Sequence, residues 1–315
     1  MLRTAVVVSA AVALGAAFVL VLRLRRRVRP RPLGWAVTLV ATLAFAFFVV
    51  QPVGHAVYLT HLPDRRAVDD ANLAARKQQV TLSTASGLRL RGWYVPSRNG
   101  AAVAVMHGTG SNRLGAADHA RLLARHGYGV LLFDSHGHGD SDGRSTSLPS
   151  RMQPDADAAL GYLQQRPDVR AGRIGVIGLS LGGEVAVHAA ARRSGWRATV
   201  LEGVQGASPA DMEASEPDPA TLVALTALHG IGRVLGGSGP PASNAEQIER
   251  IAPRPLLLIS AGRGTEARAN EEYKRRGGRT TELWNLPRAA HAAALRTEPG
   301  DYARRVIGFL DRALR

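Results

Sequence analysis

The 315-residue chain contains no cysteine. That excludes disulfides, thiolate metal sites and a cysteine nucleophile, and it says nothing of compartment, since a cysteine-free chain suits oxidising and reducing surroundings alike. Lysine is nearly missing too: Lys77 and Lys274 are the only two, so the net charge of +15 is almost wholly arginine. Arginine and alanine excess with so little lysine is the signature of biased coding rather than of a nucleic-acid surface. A nucleic-acid reader would need basic residues clustered on a recognisable module and interleaved with aromatics; aromatics are 5% of the chain and no such module is present, so no nucleic-acid partner is expected. No internal repeat is visible. The hydrophobic content of 45% is ample for one large packed domain.

The first 50 residues lack acids altogether and hold seven of the arginines, leaving +8 of the +15 for the remainder. Thr4–Leu22 is an uncharged apolar run long enough to cross a bilayer core of about 30 Å. Six arginines between Arg23 and Arg31 follow it, and then a second uncharged run, Leu33–Val50. This pattern predicts a two-helix transmembrane hairpin over residues 1–52, with its basic loop 23–32 in the cytoplasm by the positive-inside rule and the rest of the chain on the outer side of a cell membrane. The competing reading is a cleaved signal peptide over 1–22. Its basic n-region would be Arg3 alone, and charge follows the apolar run where a small-residue cleavage site should stand. Residues 53–79 are a polar connector, expected to be partly helical around Val68–Lys77.

From residue 80 to 315 strand-like and helix-like runs alternate. The strand-like runs are Val80–Thr84, Leu88–Val95, Ala102–His107, Val130–Asp134, Ile174–Gly178, Thr199–Glu202, Leu256–Ser260 and Thr281–Leu286. Helical runs fill the gaps at Gly115–His126, Pro154–Gln165, Leu181–Arg193, Glu266–Arg276 and Asp301–Leu314. Such alternation predicts an α/β domain with a mostly parallel sheet covered on both faces. The first two strands, joined around Ala85-Ser86-Gly87, should form an antiparallel hairpin. One stretch breaks the rhythm: 203–252 is a lid-like insertion whose apolar part, Leu222–Leu235, predicts at least one further helix.

Chemistry concentrates in a few places. Gly178-Leu179-Ser180-Leu181-Gly182 fits G-x-S-x-G and lies between a strand-like run and a small-residue helical run, the context that a nucleophile elbow requires. Met106-His107-Gly108-Thr109-Gly110 follows the third strand. Asp134-Ser135-His136-Gly137-His138-Gly139-Asp140-Ser141 follows the fourth, and His291 follows the last. In this order the motifs resemble those of the α/β-hydrolase family over residues 78–315, with His136 where that family usually has arginine. The resemblance implies an eight-stranded α/β-hydrolase fold and an activated serine. Ser180 would be the nucleophile, His291 the base, and the backbone N–H groups of Thr109 and Leu181 the oxyanion site. His107 would then be structural, and His188 would pack or face solvent. No metal or organic cofactor is implied. The partners would be a small-molecule or lipid-like acyl substrate and the bilayer; oligomeric state is not readable.

The acid is the departure. The family places an aspartate after the seventh strand, whereas this chain has Ser260-Ala261-Gly262-Arg263-Gly264-Thr265-Glu266. Glu266 is the best substitute and would otherwise be an ordinary first-turn helix glutamate. Glu202, at the end of the sixth strand, competes with it. Two rivals stand beside this reading. His136-x-His138-x-Asp140 also fits the first ligand group of metallo-β-lactamase-type hydrolases, although Ser141 stands where a further histidine is expected. A non-catalytic binding module with a decayed triad would explain the missing aspartate. The resemblance is closest to membrane-anchored members of the serine-peptidase-like branch. The expected reaction is cleavage of a carboxylic ester through an acyl-enzyme, with a thioester or a peptide amide as the other bonds the fold accommodates.

Overall fold

In the computed structural model, the described residues are 15–16, 18–20, 22–23, 31–46, 50–51, 54, 66–144, 148–206, 208–215, 222 and 242–314. The chain divides into two compact units, residues 1–62 with 218–239 and residues 63–217 with 240–315.

The smaller unit contains helix α1, Arg31–Phe45. The expected transmembrane hairpin lies largely outside the described residues, and none is found among those described. At 15 residues, α1 is roughly 22 Å long, short of a ~30 Å hydrocarbon core. Among the described residues no helix is long and apolar enough to cross a membrane. Most of the first apolar run and the arginine loop 24–30 lie outside the described residues. Two contacts join the runs nevertheless. Phe18 stacks on Phe45 with ring centroids 4.7 Å apart, and a Cβ on Gly15 would sit 3.8 Å from Phe45.

The larger unit is built on one eight-stranded sheet. Its strands are β1 (Gln78–Ser83), β2 (Arg89–Val95), β3 (Ala102–Met106), β4 (Gly129–Phe133), β5 (Ile174–Leu179), β6 (Ala198–Glu202), β7 (Leu256–Ser260) and β8 (Thr281–Asn285), in the order β1-β2-β4-β3-β5-β6-β7-β8. The first two strands pair antiparallel, as does β2 with β4; every other pair is parallel. This is the α/β-hydrolase sheet, and all eight expected strands are in it. The central strands read as continuous apolar runs because both faces are covered. Ala102, Ala104 and Met106 of β3 face one core and Val103 and Val105 the other. Helices α2 (Ala117–Arg125) and α9 (Pro299–Leu314) cover one face. The other is covered by α3 (Gln153–Gln164), α4 (Leu181–Arg192), α6 (Asn244–Ile251) and α7 (Gly264–Gly277). Two short helices, α5 (Pro209–Ala214) and α8 (Ala294–Thr297), complete the unit.

The helix expected around Val68–Lys77 does not form. The Asn72 side chain accepts the Ala74 N–H at 2.8 Å, and Ala74 has φ +57°, so a local side-chain turn replaces the helical ladder. At the insertion, Asp211 of α5 closes the base. Its carboxylate accepts from the Ser208 and Ser243 hydroxyls and from the N–H groups of Asn244 and Ala245, so one buried acid caps α6 and pins α5 to it. The helix expected over Leu222–Leu235 lies outside the described residues, apart from Leu222.

Candidate active site

Register along the sheet brings the motifs together. Met106 at the end of β3 lies opposite Gly178 of β5, Leu179 opposite Glu202 of β6, and Ser260 of β7 opposite Asn285 of β8. The loops that follow these strands therefore emerge side by side at the C-terminal edge, where ligands of open parallel sheets bind.

Ser180 sits between β5 and α4 with φ +53° and ψ −118°, a strained conformation for a residue with a side chain. The turn closes only because its neighbours are glycine. A Cβ on Gly178 would lie 2.4 Å from the Gly182 carbonyl oxygen, and one on Gly182 would lie 2.4 Å from that of Met106. The Ser180 N–H donates to the Glu202 carbonyl at 2.8 Å, and the Ser180 carbonyl accepts from Gly183 and Glu184. Leu181, the first residue of α4, has one of the N–H groups that a helix start leaves without an intrahelical acceptor. Gly108 of the β3 loop passes so close that a Cβ there would sit 3.2 Å from the Ser180 Cβ, which puts the neighbouring exposed Thr109 beside the elbow.

His291 reaches the serine from the loop after β8. Its Nε2 is 2.9 Å from Ser180 Oγ, and its Nδ1 is 2.8 Å from Glu266 Oε2. The ring lies over Gly203, where a Cβ would come within 3.0 Å of it. Glu266 is buried in the first turn of α7 and uses its second oxygen to accept the Ala261 N–H at 2.6 Å. Gly262 and Gly264, both at positive φ, fold the β7 loop back so that a residue six positions past the strand faces the histidine. Glu202 points elsewhere. Its Oε1 accepts the Ala294 N–H at 2.8 Å and its Oε2 faces His119 Nε2 at 3.3 Å. Of the two candidate acids, Glu266 bonds His291. The hydrogen bond to Glu266 holds the imidazolium form and raises the His291 pKa above the ordinary histidine value; burial opposes this, and the charges of Glu266, Glu202 and Glu184 add to it.

Other histidines singled out by the motifs have visible tasks. His107 is buried, donates from Nδ1 to the Gly108 carbonyl and accepts the Ser135 N–H at Nε2. Burial and the nearby His138 lower its pKa to about 4, so it stays neutral and ties the β3 loop to the β4 loop. His188 bonds Asn244 on α6. The three residues of the metal-like spacing diverge. His136 bonds Asp155, His138 donates to the His136 carbonyl, and Asp140 pairs with Arg113. Among the described residues no group of three or more histidines and acids could hold a metal ion. The β4 turn is instead organised by buried Asp134, which accepts from the backbone and guanidinium of Arg113 and from the Asp140 N–H.

Two residues near the site escape a motif reading. Arg113, the cation of that turn, lies in no motif. Glu184 lies on the first turn of α4, four residues past Ser180, and its charge acts on His291. Burial, then the charge of Asp211, push its carboxyl up to about 7.

A family model described as serine aminopeptidase, S33, matches residues 97–256. A Mycobacterium tuberculosis relative, an uncharacterized protein, is 39% identical over 119 residues, which are 37% of this chain and 42% of that protein. The uncharacterized protein YfhR of Escherichia coli strain K12 is 25% identical over 283 residues, 86% of this chain and 92% of its own length. The thiohydrolase aneE of Aspergillus aculeatus is 33% identical over 116 residues, 36% of each chain. Among solved structures, the Pyrococcus furiosus esterase Pf2001 superposes with a TM-score of 0.66 at 23% identity, covering 81% of this chain and all of that one. GrgF from Penicillium, an α/β hydrolase, gives 0.60 at 19%, covering 76% of this chain and 99% of that one. These two are likenesses of fold.

Proposed function

The chain belongs to the serine aminopeptidase S33 family, and from that premise we propose that it is a serine hydrolase that cleaves a carboxylic ester through an acyl-enzyme on Ser180. The observation that carries this reading is the unbroken relay from Ser180 Oγ through His291 to Glu266, at 2.9 and 2.8 Å. A serine hydroxyl is a weak nucleophile until a base takes its proton. His291 Nε2 is placed to do so as Oγ forms its bond to the acyl carbon, and the same proton then passes to the leaving alkoxide. Water repeats the sequence in reverse roles and releases the acid. Glu266 keeps the proton of Nδ1 in place and stabilises the imidazolium between these steps. The amides of Thr109 and Leu181 meet the carbonyl oxygen as its charge develops. The missing aspartate, which had favoured a non-catalytic module, loses its weight because Glu266 bonds His291 in its stead.

A thioester is the second reading, favoured by the thiohydrolase among the relatives. Turnover of p-nitrophenyl esters of graded chain length, beside the matching thioesters and aminoacyl anilides, tests both. Esters are expected to give the highest kcat/KM. A higher value for anilides would make the chain a peptidase and overturn the ester reading.

The same proposal includes attachment to a lipid bilayer. On α1 the residues Leu33, Trp35, Leu39, Val40 and Leu43 are exposed along one side of the helix, an apolar stripe that water disfavours and lipid accepts. The hydroxyls of Thr38 and Thr42 are satisfied within the helix by the carbonyls four residues earlier, as an apolar medium requires. The six arginines from Arg23 to Arg31 suit anionic headgroups. The chain should remain in the membrane pellet through an alkaline carbonate wash; release into the supernatant would remove this part of the proposal.

A further inference from the structure

Glu202 is left over once Glu266 is paired with His291, yet it is 2% exposed. Burying a carboxylate is costly unless its oxygens are engaged, and here both are. Oε1 accepts the N–H of Ala294, three residues past His291, and Oε2 faces His119 on α2. The edge of the His119 ring meets Tyr302 of α9 with centroids 5.4 Å apart. The buried Tyr302 hydroxyl lies near the same carboxylate without closing a hydrogen bond of good geometry, and it is held protonated by burial and by the Glu202 charge. Meanwhile the main-chain carbonyl of Glu202 accepts the N–H of Ser180 at 2.8 Å. One residue thus bonds the nucleophile's backbone with its carbonyl and the histidine's loop with its side chain.

Resting on the reading of Ser180 and His291 as nucleophile and base, we infer that Glu202 is a positioning residue that fixes the His291 loop against the elbow and acts on the imidazole through its negative charge. Among the described residues, the charged and titratable groups that face His291 are Glu266 of α7, Glu184 of α4 and Glu202 of β6; those that face Glu202 are His119, Tyr302 and His291. Geometry and charge act separately and can be separated. In Glu202→Gln the amide oxygen still accepts the Ala294 N–H, but the charge is gone. In Glu202→Ala both are lost.

The test uses the full-length chain and p-nitrophenyl ester turnover across pH. Glu202→Gln should keep the alkaline plateau of kcat within about threefold of wild type. Its acid limb should move to lower pH, because an imidazole with one fewer negative neighbour loses its proton more readily. Glu202→Ala should lower plateau kcat by about 10²-fold, the cost of a base displaced by about an ångström, with KM changed far less. A limb that stays put in Glu202→Gln, or a plateau in folded Glu202→Ala within twofold of wild type, overturns the inference. Histidine labelled with ¹³C, its His291 signal assigned through His291→Gln, reads the same titration without turnover. An inactive wild type whose His291 titration still shifts in Glu202→Gln would therefore sink the hydrolase reading and leave Glu202's hold on the histidine standing. An unmoved His291 titration would sink the latter whatever the activity.

Discussion

Ser180→Ala is expected to lower ester turnover by about 10⁶-fold, because members of a triad act as a unit and the loss of the nucleophile removes the covalent route entirely. The substitution deletes one oxygen from a side chain whose partner among the described residues is His291 Nε2, and alanine carries the positive φ no worse than serine does. Folding should survive, so the loss reads on chemistry. A fluorophosphonate probe gives the same answer without a known substrate, since it reacts with a serine oxygen only when a neighbouring base activates it. The wild-type chain should take up one equivalent and Ser180→Ala none. A folded wild-type chain that takes up no probe, or a variant that labels as before, would show that the relay is structural and would end the hydrolase reading.

The second large effect is Glu266→Gln, expected to cost about 10⁴-fold in kcat by the behaviour of triads whose acid becomes an amide. An amide facing Nδ1 can present its N–H₂ and hold the ring in the wrong tautomer, with Nε2 carrying the proton that it should be taking. The pH dependence follows with a definite sign. The Glu266 hydrogen bond raises the His291 pKa above its unfolded value, so wild-type activity should fall, on the acid side, at a pH above that of an ordinary histidine. The stabilisation that the pair lends the fold is present below the unfolded pKa and is lost as pH rises through the raised one. In Glu266→Gln the acid limb of the residual rate should move down, and the stability profile should flatten over the same window. Glu202→Gln, by contrast, should shift the limb with kcat kept. If the two variants exchanged these behaviours, Glu202 would be the acid.

How much of this was legible beforehand differs from residue to residue. The eight strands could be read because a sheet covered on both faces demands near-continuous apolar runs, and Ala102–Met106, Ile174–Leu179 and Leu256–Ser260 supply them. Ser180 could be read because its turn excludes every residue but glycine at Gly178 and Gly182, and that exclusion is written in the sequence as a spacing. The helix at Val68–Lys77 was misread because a single asparagine turn outweighed ten residues of helical composition. Arg113 and Asp211 escaped altogether. Each is bound chiefly by groups far along the chain, Asp134 and Asp140 in one case and Ser243 to Ala245 in the other, and the one local partner, Ser208 three residues before Asp211, marks only a helix start.

The two glutamates draw the line most clearly. Composition and strand periodicity were enough to determine an α/β domain and the absence of any cysteine chemistry, and the resemblance of its motifs to the α/β-hydrolase family supplied a candidate nucleophile and base. They left Glu202 and Glu266 as alternatives, since a carboxylate within reach of a histidine is a relation between loops after different strands. Only in the packed sheet does one of them, Glu266, come within hydrogen-bond reach of His291. Parallel register set the β7 and β8 loops side by side, Gly262 and Gly264 turned the first into α7, and Glu266 was thereby aimed at Nδ1 while Glu202 was turned to Ala294 and His119. Local steric rules are encoded residue by residue; a hydrogen bond across 25 residues exists only once the chain between has folded.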